Sequence, residues 1–414
     1  MENKSTSLAK DMMWNTVGNL VYCICQWVIT ILTVRLCSYE TAGYLSLAMS
    51  TSSTFSTISL FSMRNYQVSD VNGKYEDKEY IGSRFLTCLL ALSLCCLYSI
   101  TVSSSYQRIC IIAFMFIRLV EGAVDVLHGI NQKYGRYDFI GKSLFIRGIV
   151  TIIAFLAGIL VTNDLFIALV LTAIGNAIAF VIFDIRKTGS LEKLTAKIYS
   201  KRVLELLKEC LPLVVSSFLI SLIPLIPRNA IQAIQGNEIL GVYSSIASPT
   251  MVVQVFAQYA FGPLLPKISV MFIEKRYDQF LNLFHKLILI FVGFTVVISI
   301  AAAIFGRLGL TILYGKSILE YYSLFMPLIW CTVGTAIAWI LISIVTAIRK
   351  LKSLMVTMLV GFAFDFMFTN SMINLFGTNG ASYVQIISFL IVIVCMALTV
   401  EITIRKKDAV RKED

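Results

Sequence analysis

The stretch LPLVVSSFLISLIPLIPRNAIQAI, residues 211–234, decides the fold. At about 1.5 Å per residue it is long enough to cross the roughly 30 Å hydrocarbon core of a bilayer. It also holds Pro212, Pro224 and Pro227, followed at once by Arg228. A proline inside a helix removes one N–H and crowds the carbonyl four residues back, so the pair three apart predicts a bend and freed carbonyls at one level. Such groups, and an intramembrane arginine, are tolerated only where protein or a watery cavity satisfies them. The stretch therefore reads as a broken membrane helix, with Arg228 at the break, lining a polar cavity.

Working outward, apolar runs of this length recur along all 414 residues, with 57% hydrophobic and only 14% charged residues. That excludes a soluble domain with a single anchor and predicts a polytopic helical membrane protein. The polar start carries Glu2 and Asp11, and no small-x-small cleavage site follows the first apolar run. The first segment is therefore expected to stay as a membrane helix. Ten cysteines lie in apolar segments without a CxxC pair and beside only two histidines, which favours packing over metal or disulfide chemistry.

Twelve spans are expected, at about 14–37, 41–63, 85–102, 109–127, 143–161, 165–185, 211–234, 240–261, 287–305, 321–348, 354–376 and 381–404. The second is hydroxylic from Ser46 to Ser62, which fits a close helix interface or a polar cavity wall. The fourth carries Arg118, Glu121, Asp125 and His128 on one helical face, either a self-neutralised pair or a proton or substrate site. Arg147 lies in the fifth span and Asp365 in the eleventh, and Pro249 interrupts the eighth. Gly135 to Ser143 imitates a phosphate-binding loop, but five residues separate its glycines where four are needed, and it joins two membrane helices.

Net charge is +11, and its placement argues against nucleic acid: 28 of the 35 Lys/Arg fall in alternate connections. Basic connections face the cytoplasm, so both termini are expected there. Residues 186–208 hold seven basic residues with Leu191, Leu194, Ile198, Leu206 and Leu207 between them, the pattern of a helix lying on the inner surface. The expected organisation is an N-terminal lobe over 1–185, this linker over 186–208, a C-terminal lobe over 209–404 and a basic tail over 405–414. Glu40, Gly43 and Ser46 recur as Glu238, Gly241 and Ser244, offset by 198, and Glu76 and Lys78 match Glu274 and Arg276 at the same offset. A duplicated six-helix unit follows, with two pseudo-symmetric lobes around a cavity. All seven prolines lie after residue 211, and Pro224, Pro227 and Pro249 are the expected hinges.

Several stretches carry a resemblance: Trp14-Asn15-Thr16; Arg64 to Asp70; Gly135-Arg136-Tyr137-Asp138 with Lys142-Ser143 and Arg147-Gly148; Ile226-Pro227-Arg228 through Ile231 with Leu240-Gly241; and Leu264 to Lys267. Through them nearly the whole chain resembles the Wzx-type polysaccharide flippases of the multidrug/oligosaccharidyl-lipid/polysaccharide (MOP) exporter superfamily. Where similar proteins usually show an arginine after the helix-eight proline, Lys267 keeps the charge without the bidentate fork.

The resemblance implies a MATE/MOP-like fold and a non-enzymatic flippase that moves an undecaprenyl-diphosphate-linked oligosaccharide outward across a bacterial plasma membrane by alternating access, for O-antigen, capsule or related polysaccharide. Its partners would be membrane lipids and the glycosyltransferases and polymerase of the same pathway. Arginine forks suit a diphosphate, which makes Arg228 first, then Arg35, Arg64, Arg118 and Arg147 the candidate ligands; for Arg228 the plainer alternative is snorkelling to the interface. No metal or cofactor is expected. An inside-negative potential favours moving two negative charges outward by about 4–5 kcal/mol per 100 mV, and proton or sodium coupling would run through Glu121, Asp125 or Asp365. Rival readings are a drug/cation antiporter centred on Asp365 amid Phe362, Phe364, Phe366 and Phe368, a lipid II flippase, and a membrane polymerase or ligase.

Overall fold

Polar turns with good caps divide the apolar sequence into twelve long helices, and no strand forms among the described residues. The computed structural model describes residues 2–70, 73–261 and 264–413. The helices are α1 (Glu2–Leu36), α2 (Tyr39–Leu60), α3 (Asp77–Ser99), α4 (Ser105–Lys133), α5 (Tyr137–Thr162) and α6 (Leu165–Gly189), then α7 (Lys201–Gln235), α8 (Asn237–Phe261), α9 (Tyr277–Tyr314), α10 (Phe325–Ala347), α11 (Leu351–Phe376) and α12 (Thr378–Glu413). Each matches one expected span. Ten are long and apolar enough to cross a membrane; α2 and α4 fall short, because of the hydroxyls of one and the charges of the other. Those two helices pack on each other. The protein is an all-α polytopic membrane protein.

Local chemistry explains the boundaries. The Ser38 hydroxyl accepts from the Thr41 N–H at 3.1 Å to start α2, Glu76 and Glu79 form a capping box at α3, and Asp164 caps α6 through the Phe166 N–H at 2.7 Å. Phe61 and Ser62 both adopt left-handed φ, 52° and 50°, at the end of α2. Burial of Phe61 holds that strained turn, which re-aims the chain into the short helix Met63–Ser69 carrying Arg64.

The chain divides into two compact units, Met1–Ser221 and Leu222–Asp414. In the first, α1 and α5 approach most closely where Gly18 meets Gly141; a Cβ on either would overlap the opposite backbone. One core gathers Phe55, Cys110, Phe114, Met115 and Phe155, and a second gathers Tyr75, Tyr80, Leu127 and Ile130 with Leu206, Cys210 and Val214 of α7. The start of α7 is thus part of the first unit. In the second unit α12 packs on α10 and α11, and α8 on α10.

Four expectations change. Residues 186–208 are not one surface helix: α6 runs on through a π-helical turn, Phe180–Ile185, to Gly189, an irregular strap follows, and α7 begins at Lys201. The strap is held because the Lys197 N–H bonds the Lys78 carbonyl at 2.8 Å above Gly82, while Lys197 and Arg202 face the buried Glu79 carboxylate at 3.9 and 3.8 Å. Residues 405–413 continue α12 instead of forming a separate tail, and α9 extends through Gly306 and Gly309 to Tyr314, shortening the expected outer loop. Pro263 lies outside the described residues, as does the side chain of Pro266.

α7 remains helical through Pro212, Pro224 and Pro227, and α8 through Pro249. The break expected at Arg228 is therefore absent.

Candidate functional site

The ionisable face expected on α4 divides between three groups of partners. In the middle of the first unit, Arg118 Nη1 lies 2.6 Å from Glu121, its Nη2 donates to Ser53 Oγ at 3.0 Å, and its fork stands over the Phe114 ring. Tyr22 of α1 donates to the same Glu121 carboxylate. Arg147 of α5 joins them: it is 2% exposed, lies over the Tyr22 ring at 5.6 Å, and gives its Nε to Asn176 Oδ1 at 3.3 Å, while its Nη2 has no hydrogen-bond partner. Asn176 is fixed in turn by Thr151 and the Thr172 carbonyl. Two guanidinium groups here surround one carboxylate, Arg118 in an ion pair with it and Arg147 at longer range.

The pattern repeats one turn along α4. Asp125 pairs with Arg84 Nη2 at 2.7 Å and faces Arg64 Nη1 at 3.6 Å. Arg84 also donates to the Ser59 carbonyl, and Arg64 to Gln132 Oε1 at 3.1 Å. Arg84 is buried, whereas 32% of the Arg64 side chain is exposed. A surplus positive charge therefore stands at each of two levels about 6 Å apart on α4. The last member of the face, His128, lies instead 3.7 Å from the buried Asp184 of α6.

In the second unit Arg228 is half-buried, seven residues before the end of α7. Its Nη1 donates to the Pro224 carbonyl at 2.7 Å, the acceptor one residue beyond the Ile223 carbonyl that Pro227 frees. No carboxylate stands within ion-pair distance of it among the described residues. Tyr243 and Cys331 lie within its electrostatic reach, and the Tyr243 hydroxyl is held by Ser382 and Gln385 of α12.

A family model described as "Polysaccharide biosynthesis protein" matches residues 8–272, more than half of the chain. The chain belongs to the polysaccharide biosynthesis protein family.

Among relatives of this family member, the capsular polysaccharide biosynthesis protein CapF of Staphylococcus aureus is 26% identical over 314 residues, 75% of this chain and 78% of CapF. The fold is that of MATE transporters. A mutant of VcmN from Vibrio cholerae is 13% identical with a TM-score of 0.64, covering 100% of this chain and 99% of that one. A multidrug resistance MATE transporter of the MOP superfamily in an inward-facing conformation is 13% identical with a TM-score of 0.67, covering 96% and 99%. The protein is thus a polysaccharide-related membrane protein on a MOP transporter fold.

The remaining candidates of this family member stand apart. Arg35 is exposed in the last turn of α1, outside these clusters, and Lys267 is exposed too. Asp365 is fully buried and accepts from Ser388 Oγ at 3.3 Å and, weakly, from Thr369 Oγ1 at 3.5 Å, with no cation at ion-pair distance among the described residues. Phe366 and Phe368 lie on the exposed side of α11, so the aromatic surround expected for Asp365 does not form. The hydroxyls of α2 serve the expected helix interface: Ser52 and Thr54 bond neighbouring backbones at Ile111 and Ser221, and Ser53 accepts from Arg118. Sequence reading missed Arg84, Tyr22 and Asn176. The Glu76–Glu79 capping box was the available signal for Arg84, since it starts α3 at Asp77 and carries Arg84 two turns inside the helix.

Proposed function

We propose that the protein is a flippase that carries an undecaprenyl-diphosphate-linked oligosaccharide from the cytoplasmic to the outer leaflet of the bacterial plasma membrane by alternating access, with both termini cytoplasmic. The observation that carries this reading is the guanidinium surplus: Arg64/Arg84 over Asp125, Arg118/Arg147 over Glu121, and Arg228 without a carboxylate. A bundle stabilised only for its own sake has no reason to keep such charges in a membrane, whereas a diphosphate replaces its water shell with arginine forks. Similarity to a capsular polysaccharide biosynthesis protein supports a capsule or related repeat unit as cargo. Membrane potential supplies about 4–5 kcal/mol per 100 mV for two charges, which makes a separate energy source dispensable.

If an ion is coupled, Asp365 is the best-suited carboxyl, because Glu121 and Asp125 are occupied by arginines. The test is a host lacking the gene. It should accumulate a complete oligosaccharide-diphosphate lipid on the cytoplasmic face, cured by the wild-type gene but not by Arg228→Ala at equal protein level. Full cure by Arg228→Ala removes that residue from the path. Normal surface polysaccharide together with new sensitivity to cationic dyes would replace the flippase by a drug antiporter.

A further inference from the structure

Two apolar grooves flank one ridge of α4, on the end of the first unit opposite the basic loops. The first, about 580 Å³, lies between α3 and α4, walled by Leu97, Ile100, Ile109 and Ile112. The second, about 680 Å³, lies between α4 and α6, where Ala113, Ala123, Ala173 and Ala177 leave room beneath Phe116 and Phe166. Ile109 and Ile112 line both grooves and so form the ridge between them. The second groove extends from Ile109 to Ala123 on α4 and from Phe166 to Phe180 on α6, about 21 Å on either helix. That length exceeds one leaflet's share, about 15 Å, of the hydrocarbon core.

At the open end of the ridge stands Arg108, in the first turn of the 29-residue α4. It is half-buried, its Nη2 donates to Ser105 Oγ at 2.7 Å, and no carboxylate lies within ion-pair distance among the described residues. Ser105, exposed, lies on that rim. Aligned peptide dipoles add positive potential at this helix terminus.

We propose that this face binds a two-chained anionic phospholipid, its phosphate on Arg108 and Ser105 and one acyl chain in each groove, straddling the Ile109/Ile112 ridge. The cation without a carboxylate selects a negative headgroup, the dry walls select hydrocarbon over free phosphate, and two grooves select two chains over a single isoprenoid. The bound lipid would tie α3, α4 and α6 together. Only the leaflet, the outer one, depends on the orientation proposed above; lipid binding itself does not depend on flipping.

The test uses the purified full-length chain and native mass spectrometry with phosphatidylglycerol, phosphatidylcholine, lysophosphatidylglycerol or a polyprenyl phosphate as probe. Phosphatidylglycerol should be retained over phosphatidylcholine, and Arg108→Gln should weaken it about fivefold, the effect of about 1 kcal/mol for one basic residue near a charged surface. Ala173→Phe, which fills the second groove, should reduce retention of phosphatidylglycerol and leave lysophosphatidylglycerol unchanged. Melting of both variants in pure phosphatidylcholine should match wild type, which separates lost binding from misfolding. Equal retention of the two diacyl lipids, an unchanged preference in Arg108→Gln, or tighter binding of the single-chain probes would overturn the proposal.

Discussion

Replacing Glu121 by glutamine tests the charge surplus of the middle cluster directly. In the wild type, Glu121 answers Arg118 at 2.6 Å and is felt by Arg147, so the cluster carries one net positive charge. Glu121→Gln raises that to two while keeping an oxygen to accept from Tyr22. Breaking a buried pair this way costs about 3–5 kcal/mol. Close to a fifth of the Arg118 and Glu121 side chains remains accessible, 18% and 19%, which places the cost near 3 kcal/mol. Arg147→Met acts oppositely: Arg118 and Glu121 are left as a neutral pair, and the loss is about 1 kcal/mol for the donor to Asn176. In the double variant one guanidinium remains, as one net charge did before, so its loss should stay near 1 kcal/mol and not reach the sum, about 4. Reversible unfolding in mixed sodium dodecyl sulfate micelles measures all three. Additivity, or a loss below about 1 kcal/mol for Glu121→Gln alone, would refute shared compensation. Export should follow the other order, retained best where the surplus survives and lost in Arg147→Met despite its stability.

Three further outcomes follow from particular contacts. Gly141→Leu places a side chain where the Trp14 backbone lies and should cost about 3 kcal/mol or prevent folding, read as the yield of folded protein after extraction; a wild-type yield would contradict the close α1–α5 approach. Burial alone would raise the Asp70 carboxyl, but the N–H groups of Tyr75 and Lys74 and the Tyr80 hydroxyl hold it below the usual carboxylate range. Its contribution to stability is therefore present above about pH 4 and lost as pH falls through the lowered value. Asp70→Asn should flatten the acid limb of a melting-versus-pH curve between pH 5 and 3, and an unchanged limb would assign acid sensitivity elsewhere. Asp365→Asn retains an acceptor for Ser388 and should leave melting near wild type while abolishing any response of export to an imposed proton or sodium gradient; a retained response excludes Asp365 from coupling.

The fold was legible because bilayer thickness imposes a single length scale on every apolar run, and all twelve spans answered to it. The two that composition alone misses, α2 and α4, were still readable, since their polar residues recur at helical spacing and so announce a protein-facing side. Legibility failed where a contact is made by distant segments. Nothing local tells that Asp125 turns to Arg84 while Glu121, one turn away, takes Tyr22 from α1. The prolines misled for a related reason: losing one hydrogen bond each is a local cost, and tertiary packing around Ile220, Ile223 and Leu225, all buried, keeps the helix continuous through it.

The ratio of charges within each cluster bears on what the clusters can do. A guanidinium fully answered by its own carboxylate would have to break that pair to take a phosphate, at about 3–5 kcal/mol. Two unanswered guanidinium groups side by side would bind an anion tightly and give it up slowly, besides repelling each other before it arrived. Two arginines over one carboxylate avoid both extremes, with one net charge available and the fork geometry already fixed by Ser53, Asn176 or Gln132. Under the proposed function a diphosphate meeting one surplus charge at each level remains net negative at every step. The membrane potential therefore keeps acting on it, by about 2.3 kcal/mol per remaining charge per 100 mV, and no level becomes a trap.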